Sequence, residues 1–212
     1  DFNKWAFSKK NNGFEKLISY SRKSSCILDI GSHIGLVALP LSASLNGYIH
    51  CFEPSISNFN LLKLHIKKNK SINIIANNVF VSSQNKSFEF NDNLVSSPNN
   101  SILNSKKLFF TNKKNISMIT IDKYVTLKSL KPDLIKIDVE GHEYDVLLGA
   151  METIYKYKPL IVLSYHPKLV EKNGQNDKVF LALLSRLNLT IKTIDGRNLV
   201  DLSHTDYLLS PN

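Results

Sequence analysis

Four clusters of residues have the types and spacing to carry chemistry. The first is ILDIGSHIG, where Asp29, Gly31 and Gly35 form an Asp-x-Gly-x-x-x-Gly loop between an apolar run and a helical stretch. Gly31 permits a tight turn and lets the backbone approach a ligand, and Gly35 permits close helix contact. The second is Glu53, at the end of the next apolar run, YIHCFEP. It lies about 20 residues beyond the loop, where an acid meets a pair of ribose hydroxyls. The third is KIDVEGHE, which places Lys136, Asp138, Glu140 and His142 together. The fourth is SYHP, with Ser164, Tyr165 and His166.

The first two clusters imply a nucleoside-containing ligand at the tips of two adjacent strands. Dinucleotide sites use G-x-G-x-x-G to bring backbone and a helix N-terminus to a pyrophosphate. That spacing is absent, which argues against a nucleotide-dependent oxidoreductase, and a carboxylate at Asp29 would repel a diphosphate. It suits a cationic ammonium, so S-adenosylmethionine, with an amino acid tail and no phosphate, is the favoured cofactor. The plainer reading makes Asp29 and Glu53 ordinary polar loop residues.

In the other two clusters, Asp138 and Glu140 end a strand with Leu134, Ile135 and Ile137 upstream. Burying such carboxylates is costly unless they are paired or used. His166 is the candidate general base, since its ordinary pKa suits proton removal near neutrality. Its plainer reading is a hydrogen-bonded strand-end histidine. Lys136 shares a strand face with Asp138 by period two, so an ion pair is expected there. His142 starts a helix and is expected to be exposed. His33, Cys51 and His65 read as packing or surface residues. Oxygens of Asp138 and Glu140 with a His166 nitrogen could hold a divalent metal. The spacing does not require one, and none is expected.

The elements that must position these groups follow from hydrophobic pattern. Residues 5–20, with Trp5, Phe7, Phe14, Leu17 and Ile18, read as a leading helix or two, broken near Gly13. Buried strands are expected at Cys26–Ile30, Tyr48–Pro54, Ile72–Ser83 with its exit, Pro132–Gly141 and Pro159–Pro167. Helices are expected at Ile34–Leu45, Ser55–Asn69, His142–Tyr157 and Asp177–Leu187. Pro40 should kink the first of these or end its first turn. In Ser55–Asn69, Phe59, Leu62 and Ile66 share a face and the far end is basic. Ser87–Phe90 alternates as a short strand, Asn91–Lys107 is a long polar loop, and Asn115–Val125 reads as strand then helix start. Leu189–Asp195 and Asp206–Pro211 are closing strands around a turn at Asp195–Gly196. Strands alternating with helices give an α/β fold, a parallel sheet covered on both faces, with an antiparallel last strand.

At 212 residues, 42% hydrophobic and 21% charged, the chain suits one globular domain: a helical lead-in over 1–25 and the main domain over 26–212. No apolar stretch approaches the ~20 residues of a membrane helix. The first residues lack an apolar signal core, and the two cysteines, Cys26 and Cys51, form no metal-spaced pair, so a reducing, cytoplasmic setting is expected. Asp1 in place of Met fits a piece of a longer protein. The net charge of +9 invites a nucleic-acid reading, but only three of the 27 basic residues are arginine, Arg22, Arg186 and Arg197. Arginine's bidentate fork is what phosphate and base recognition favour. The five N-x-S/T triplets are expected by chance in a chain rich in Asn and Ser.

Three blocks in order, ILDIGSHIGLVAL, IHCFEPSISNFNLLKLHIKKN, and ITIDKYV with PDLIKIDVEGHEYDVLLGA, resemble the FkbM-type methyltransferases over about Ile27 to Pro167. KIDVEG-x-E-x-x-VL-x-GA is the specific block, and SSPNNSIL (96–103) resembles the family's serine-containing segment before it. The resemblance implies a Rossmann-like seven-stranded, mostly parallel sheet and methyl transfer from S-adenosylmethionine to oxygen, on a hydroxyl of a sugar, glycan or natural product. It implies cofactor contacts from Asp29, Gly31, Ser32, Gly35 and Glu53, with Asn77 or Asn78 near the adenine, and Asp138 and Glu140 at the reacting centre. A fused glycosyltransferase in a longer parent chain would point to glycan modification. The family's Glu-x-His after the fifth strand is here Ser164-Tyr165-His166, which keeps the His and loses the Glu. The rival readings are a catalytically weak binding module of the same fold and a nucleic-acid methyltransferase. The latter lacks the Asn/Asp-Pro-Pro-Tyr motif of amino-group methylation.

Overall fold

The computed structural model describes residues 12–91, 113–199 and 201–212. The expectations for Trp5 and Phe7, for the polar loop beyond Asn91 and for SSPNNSIL lie outside them. A seven-stranded sheet has the order β3-β2-β1-β7-β8-β10-β9. Its strands are β1 (Cys26–Ile30), β2 (Tyr48–Phe52), β3 (Ile74–Asn77), β7 (Leu134–Ile137), β8 (Leu160–Tyr165), β9 (Leu189–Thr193) and β10 (Thr205–Pro211). β1 pairs in parallel with β2 and β7, and β10 runs antiparallel to both β8 and β9. The chain therefore reverses its winding direction between β1 and β7, and the crevice outside their carboxyl ends is where such sheets bind ligands.

Period two divides the strand residues between two apolar layers. Leu28, Ile30, Phe52, Ile135, Ile137, Ile161 and Leu163 pack on one face against α4 (Ile121–Leu127), α5 (Glu143–Leu148), α6 (Met151–Tyr157) and α8 (Asp177–Arg186). Ile27, Ile49, Cys51, Leu134 and Val162 pack on the other, against α1 (Asn12–Ser21), α2 (Ala38–Ser44) and α3 (Ile56–Lys68). A smaller sheet of β4 (Phe80–Val81), β6 (Lys113–Ile119) and β5 (Ser87–Asn91), in that order, sits beside the main one. The expected third strand is thus two pieces: β3 stays in the main sheet and β4 pairs with β6.

Helix boundaries differ from the pattern in instructive ways. α2 starts at Ala38, after turns over Ile34–Val37, so Pro40 stands in its first turn, where its missing N–H goes unneeded. α1 begins at Asn12, one residue before Gly13, and the residues on the other side of the expected break lie outside the described ones. His142–Tyr157 is two helices, α5 and α6. A Cβ on Gly149 between them would meet the Ser82 carbonyl oxygen at 2.2 Å, so backbone packs on backbone at the joint. A short helix, α7 (Pro167–Lys172), follows β8 with Pro167 at its first position, which proline favours.

Candidate active site

The glycine loop is fastened to β2 by its backbone. The Gly31 and Ser32 N–H groups both donate to the Phe52 carbonyl, at 3.0 and 3.1 Å. Ser32 Oγ donates to the Asp29 carbonyl at 2.6 Å and accepts from the Phe52 N–H at 3.0 Å. Gly31 has φ +81°, and a Cβ there would lie 1.8 Å from the Asp138 carbonyl oxygen, so the loop crosses directly over the end of β7. At Gly35, with φ +90°, a Cβ would lie 2.7 Å from the Leu62 Cδ1 methyl of α3.

Glu53 closes this half. Its carboxylate is 3% exposed and accepts from the His33 N–H at 2.9 Å, the Ser55 N–H at 2.9 Å and Asn58 Nδ2 at 3.4 Å. It ties the glycine loop to the first turn of α3. Burial pushes its pKa up to about 7 against those three hydrogen bonds. Asn78 Nδ2 donates to the Glu53 and Pro54 carbonyls, and Asn77 Nδ2 to the Cys51 carbonyl. Asn77 Oδ1 accepts from Tyr124, whose hydroxyl also meets His50 Nδ1 at 2.9 Å. Both asparagines therefore stand at the β2–β3 exit beside Glu53, each with its amide N–H₂ bound to backbone.

Asp29 is fully buried, and the cation it faces is Lys136, 3.2 Å from Oδ1. Asp29 and Lys136 are direct partners in the β1–β7 register. Lys136 also lies 3.6 Å from Asp138 Oδ2, the pair expected from period two, and donates to the Gly31 carbonyl at 3.1 Å. Burial disfavours its ammonium, but Asp29 and then Asp138 outweigh that and hold its pKa above the ordinary lysine range. Of the two aspartates, Asp138 is the one that reaches the mouth, with its side chain 39% exposed.

At the β7–β8 mouth, His166 Nε2 lies 3.8 Å from Asp138 Oδ1, while Nδ1 lies 2.8 Å from Glu143 Oε1. Burial pulls the imidazole's pKa down, but the bond and charge of Glu143, then Asp138 and Glu140, hold it above its usual value. Glu140 is half-buried in a left-handed turn at φ +49°. Burial and then the Asp138 charge raise its pKa, and His166 opposes them. The His204 ring stands 4.6 Å from the His166 ring, centroid to centroid. Ser164 is turned away from His166 and donates to Asp206 Oδ1 at 2.5 Å.

Three placements depart from the sequence reading. His142 is buried, because the turn at Glu140–Gly141 tucks it against the edge of Phe80 with Nδ1 3.7 Å from Asp145. Glu143 and His204 escaped it altogether. Glu143 lies three residues past Glu140, and its place within the specific block is the one signal the sequence holds for it. Cys51 is buried, and His65 Nδ1 binds the Ile34 carbonyl at 2.8 Å, so both serve packing. His33 is exposed and contributes its backbone N–H to Glu53. Among the described residues no group of three or more His, Cys, Asp or Glu is arranged to hold a metal ion, and no helix is long and apolar enough to cross a membrane.

The charge at the loop decides what ligand fits. Asp29 and Asp138 share one lysine, with Glu53 and Glu140 nearby, so the mouth suits a cation and repels a diphosphate. S-adenosylmethionine, carrying an ammonium and a sulfonium, fits that donor set.

Comparison with known proteins agrees. Among solved structures the chain is similar to the methyltransferase FkbM of Methylobacillus flagellatus, at 18% identity and TM-score 0.58 over 88% of this chain. The chain spans 43% of that protein's length. It is also similar to an O-methyltransferase of Bacillus cereus in complex with SAH, at 13% identity and TM-score 0.53, covering 95% of this chain and 80% of that one. A precorrin-6y C5,15-methyltransferase of Geobacter metallireducens gives 13% identity and TM-score 0.52, covering 95% and 88%. These likenesses establish a mostly parallel Rossmann-like fold. No curated protein sequence matches the chain. The family model of the methyltransferase FkbM domain matches residues 29–190. That match runs from the acid of the glycine loop to the strand beyond His166, well over half of the sequence, and the chain therefore belongs to the FkbM methyltransferase family.

Proposed function

We propose that the chain methylates a hydroxyl oxygen of a sugar, glycan or natural-product acceptor, with His166 as general base. The observation that carries this reading is the setting of His166. One ring nitrogen is held by Glu143, and the other faces Asp138 at the end of β7, under the loop crossing at Gly31. A base so placed is what oxygen methylation needs, because a hydroxyl must lose its proton as the new bond forms. The chain's residues divide the work. Glu53 accepts from the ribose hydroxyls, Asp138 takes the ammonium, and Gly31 and Gly35 let the backbone close on the ligand. Asp29 acts through Lys136, which it holds in place beneath Asp138.

Bound S-adenosylmethionine supplies the electrophilic methyl group and takes back the C–S electron pair, leaving as S-adenosylhomocysteine. His166 Nε2 accepts the hydroxyl proton, and the oxygen's electron pair forms the new O–C bond. Most of the rate comes from positioning. A panel of sugar and natural-product acceptors, assayed for product methylation, tests the substrate class. On whichever acceptor turns over, His166→Ala should lower kcat by about 10²–10⁴ while leaving S-adenosylhomocysteine affinity within about threefold. Unchanged kcat removes His166 as the base.

A further inference from the structure

We propose that Glu143 is the positioning residue of the His166 base, fixing its proton on Nδ1 and presenting Nε2 as the acceptor at the mouth. This rests on the reading of His166 as base. In this chain the carboxylate that orients the histidine comes from the first turn of α5, where the strand position two residues before the histidine holds Ser164.

Glu143 is fully buried, and its Oε1 accepts from both His166 Nδ1, at 2.8 Å, and the Gly141 N–H, at 3.1 Å. Oε1 already accepts from the Gly141 N–H and so faces Nδ1 as an acceptor, which puts the hydrogen in the 2.8 Å contact on the ring nitrogen. That selects the neutral tautomer with Nε2 unprotonated, the form that can take a proton. The Glu143 Oε2 atom has no hydrogen-bond partner among the described residues, so Oε1 makes both of the carboxylate's described contacts. The alternative partner within β8 is already spent, since Ser164 binds Asp206.

The backbone around Glu143 is built to hold it there. Gly141 has φ +102°, and a Cβ on it would press on Leu169 of α7 at 2.7 Å. Asn173 Nδ2, just past α7, donates to the Gly141 carbonyl at 3.0 Å. The turn that launches α5 is thus clamped to the helix that follows His166, and the two partners are positioned from both sides. The ionisable groups facing His166 are Glu143 on α5, Asp138 and Glu140 after β7, and His204 before β10, with Lys136 beyond Asp138. Glu143 is the one in direct hydrogen-bond contact.

The test is a titration of the His166 imidazole by NMR in the full chain, assigned by its loss in His166→Ala, with nothing else added. In the wild type the ring should titrate above 6.5, and its neutral form should carry the proton on Nδ1. A ring that titrates at or below 6.5, or carries its proton on Nε2, overturns the proposal without any variant. Glu143→Gln should titrate at least about one pH unit lower, and Glu143→Asp, which keeps the charge, should stay above Glu143→Gln. On an acceptor found active in the panel, the rising limb of the kcat–pH profile should move with the ring, with KM for S-adenosylmethionine within about threefold. A ring that moves while the profile stays put overturns the positioning role. If His166→Ala then retains turnover, the failure lies with the base reading. If it loses turnover, the failure lies with Glu143.

Discussion

The mouth of the sheet has two halves, built by opposite means. At β1–β2, side chains bind backbone: Ser32, Glu53, Asn77 and Asn78 fasten one loop to the next through main-chain groups. Around β7–β8, side chains bind side chains: Asp29–Lys136 crosses from β1 to β7, Lys136–Asp138 runs along the β7 segment, and Glu143–His166 joins α5 to the end of β8. A hydrogen bond to backbone fixes a shape and is indifferent to the neighbouring side-chain types. A charge chain fixes protonation states, and every member depends on the others. The first half is suited to holding a ligand of constant form and the second to chemistry in which a proton moves. Neither half owes its character to the overall charge of +9. Lys67 and Lys68 stand in the last turn of α3, at the opposite, amino-terminal edge of the sheet.

The largest expected effect comes from breaking the charge chain at its buried link. Lys136→Met should destabilise the fold by about 3–5 kcal/mol, because Asp29 is left buried without its cation. The double variant Lys136→Met/Asp29→Leu should recover most of that loss in urea unfolding. A double variant no more stable than Lys136→Met alone would show that Asp29 and Lys136 are held by packing and not by each other.

That asymmetry explains what the sequence makes legible. The glycine loop, Glu53 and the strand–helix alternation are local signals: each lies within one run of residues whose spacing has one reading. The partner of His166 is not local. Glu143 reads as an ordinary first-turn acid until the fold brings α5 against the end of β8. Period two finds the Lys136–Asp138 pair, which shares a strand, and misses the shorter Lys136–Asp29 pair, which crosses from β7 to β1. α7 is six residues long, too short for a helical period to show, and Pro167 reads as a terminator where it serves as a first position. The break at Gly149 is set by the Ser82 carbonyl, far away in sequence.

The next effect probes the shape-fixed half. Gly31→Ala should cost about 2–3 kcal/mol, since its φ of +81° is strained for alanine and the new Cβ would strike the Asp138 carbonyl. S-adenosylhomocysteine affinity, read by calorimetry, should fall at least tenfold with it. Glycine-like affinity in the alanine variant would mean that the crossing of loop over strand is not what shapes the cofactor half.

A third effect separates the halves by pH. Glu53 has a folded pKa of about 7 against an ordinary 4.5, so the folded chain binds its proton more tightly than the unfolded chain does. The stability this contributes is full below pH 4.5 and is lost as pH rises through 7. His166 is also raised, so its contribution is full below 6.5 and is lost only as pH rises through its higher folded value. The two halves thus weaken in overlapping windows, the β1–β2 side first. Midpoints of urea unfolding from pH 4.5 to 9 should fall across both. Glu53→Gln should flatten the lower window and His166→Asn the upper. If Glu53→Gln leaves the slope between 4.5 and 7 intact, then the His33, Ser55 and Asn58 hydrogen bonds outweigh the burial of the carboxylate. The backbone-bound half would then carry a permanently ionised acid, as ready to accept from ribose hydroxyls at pH 5 as at pH 8.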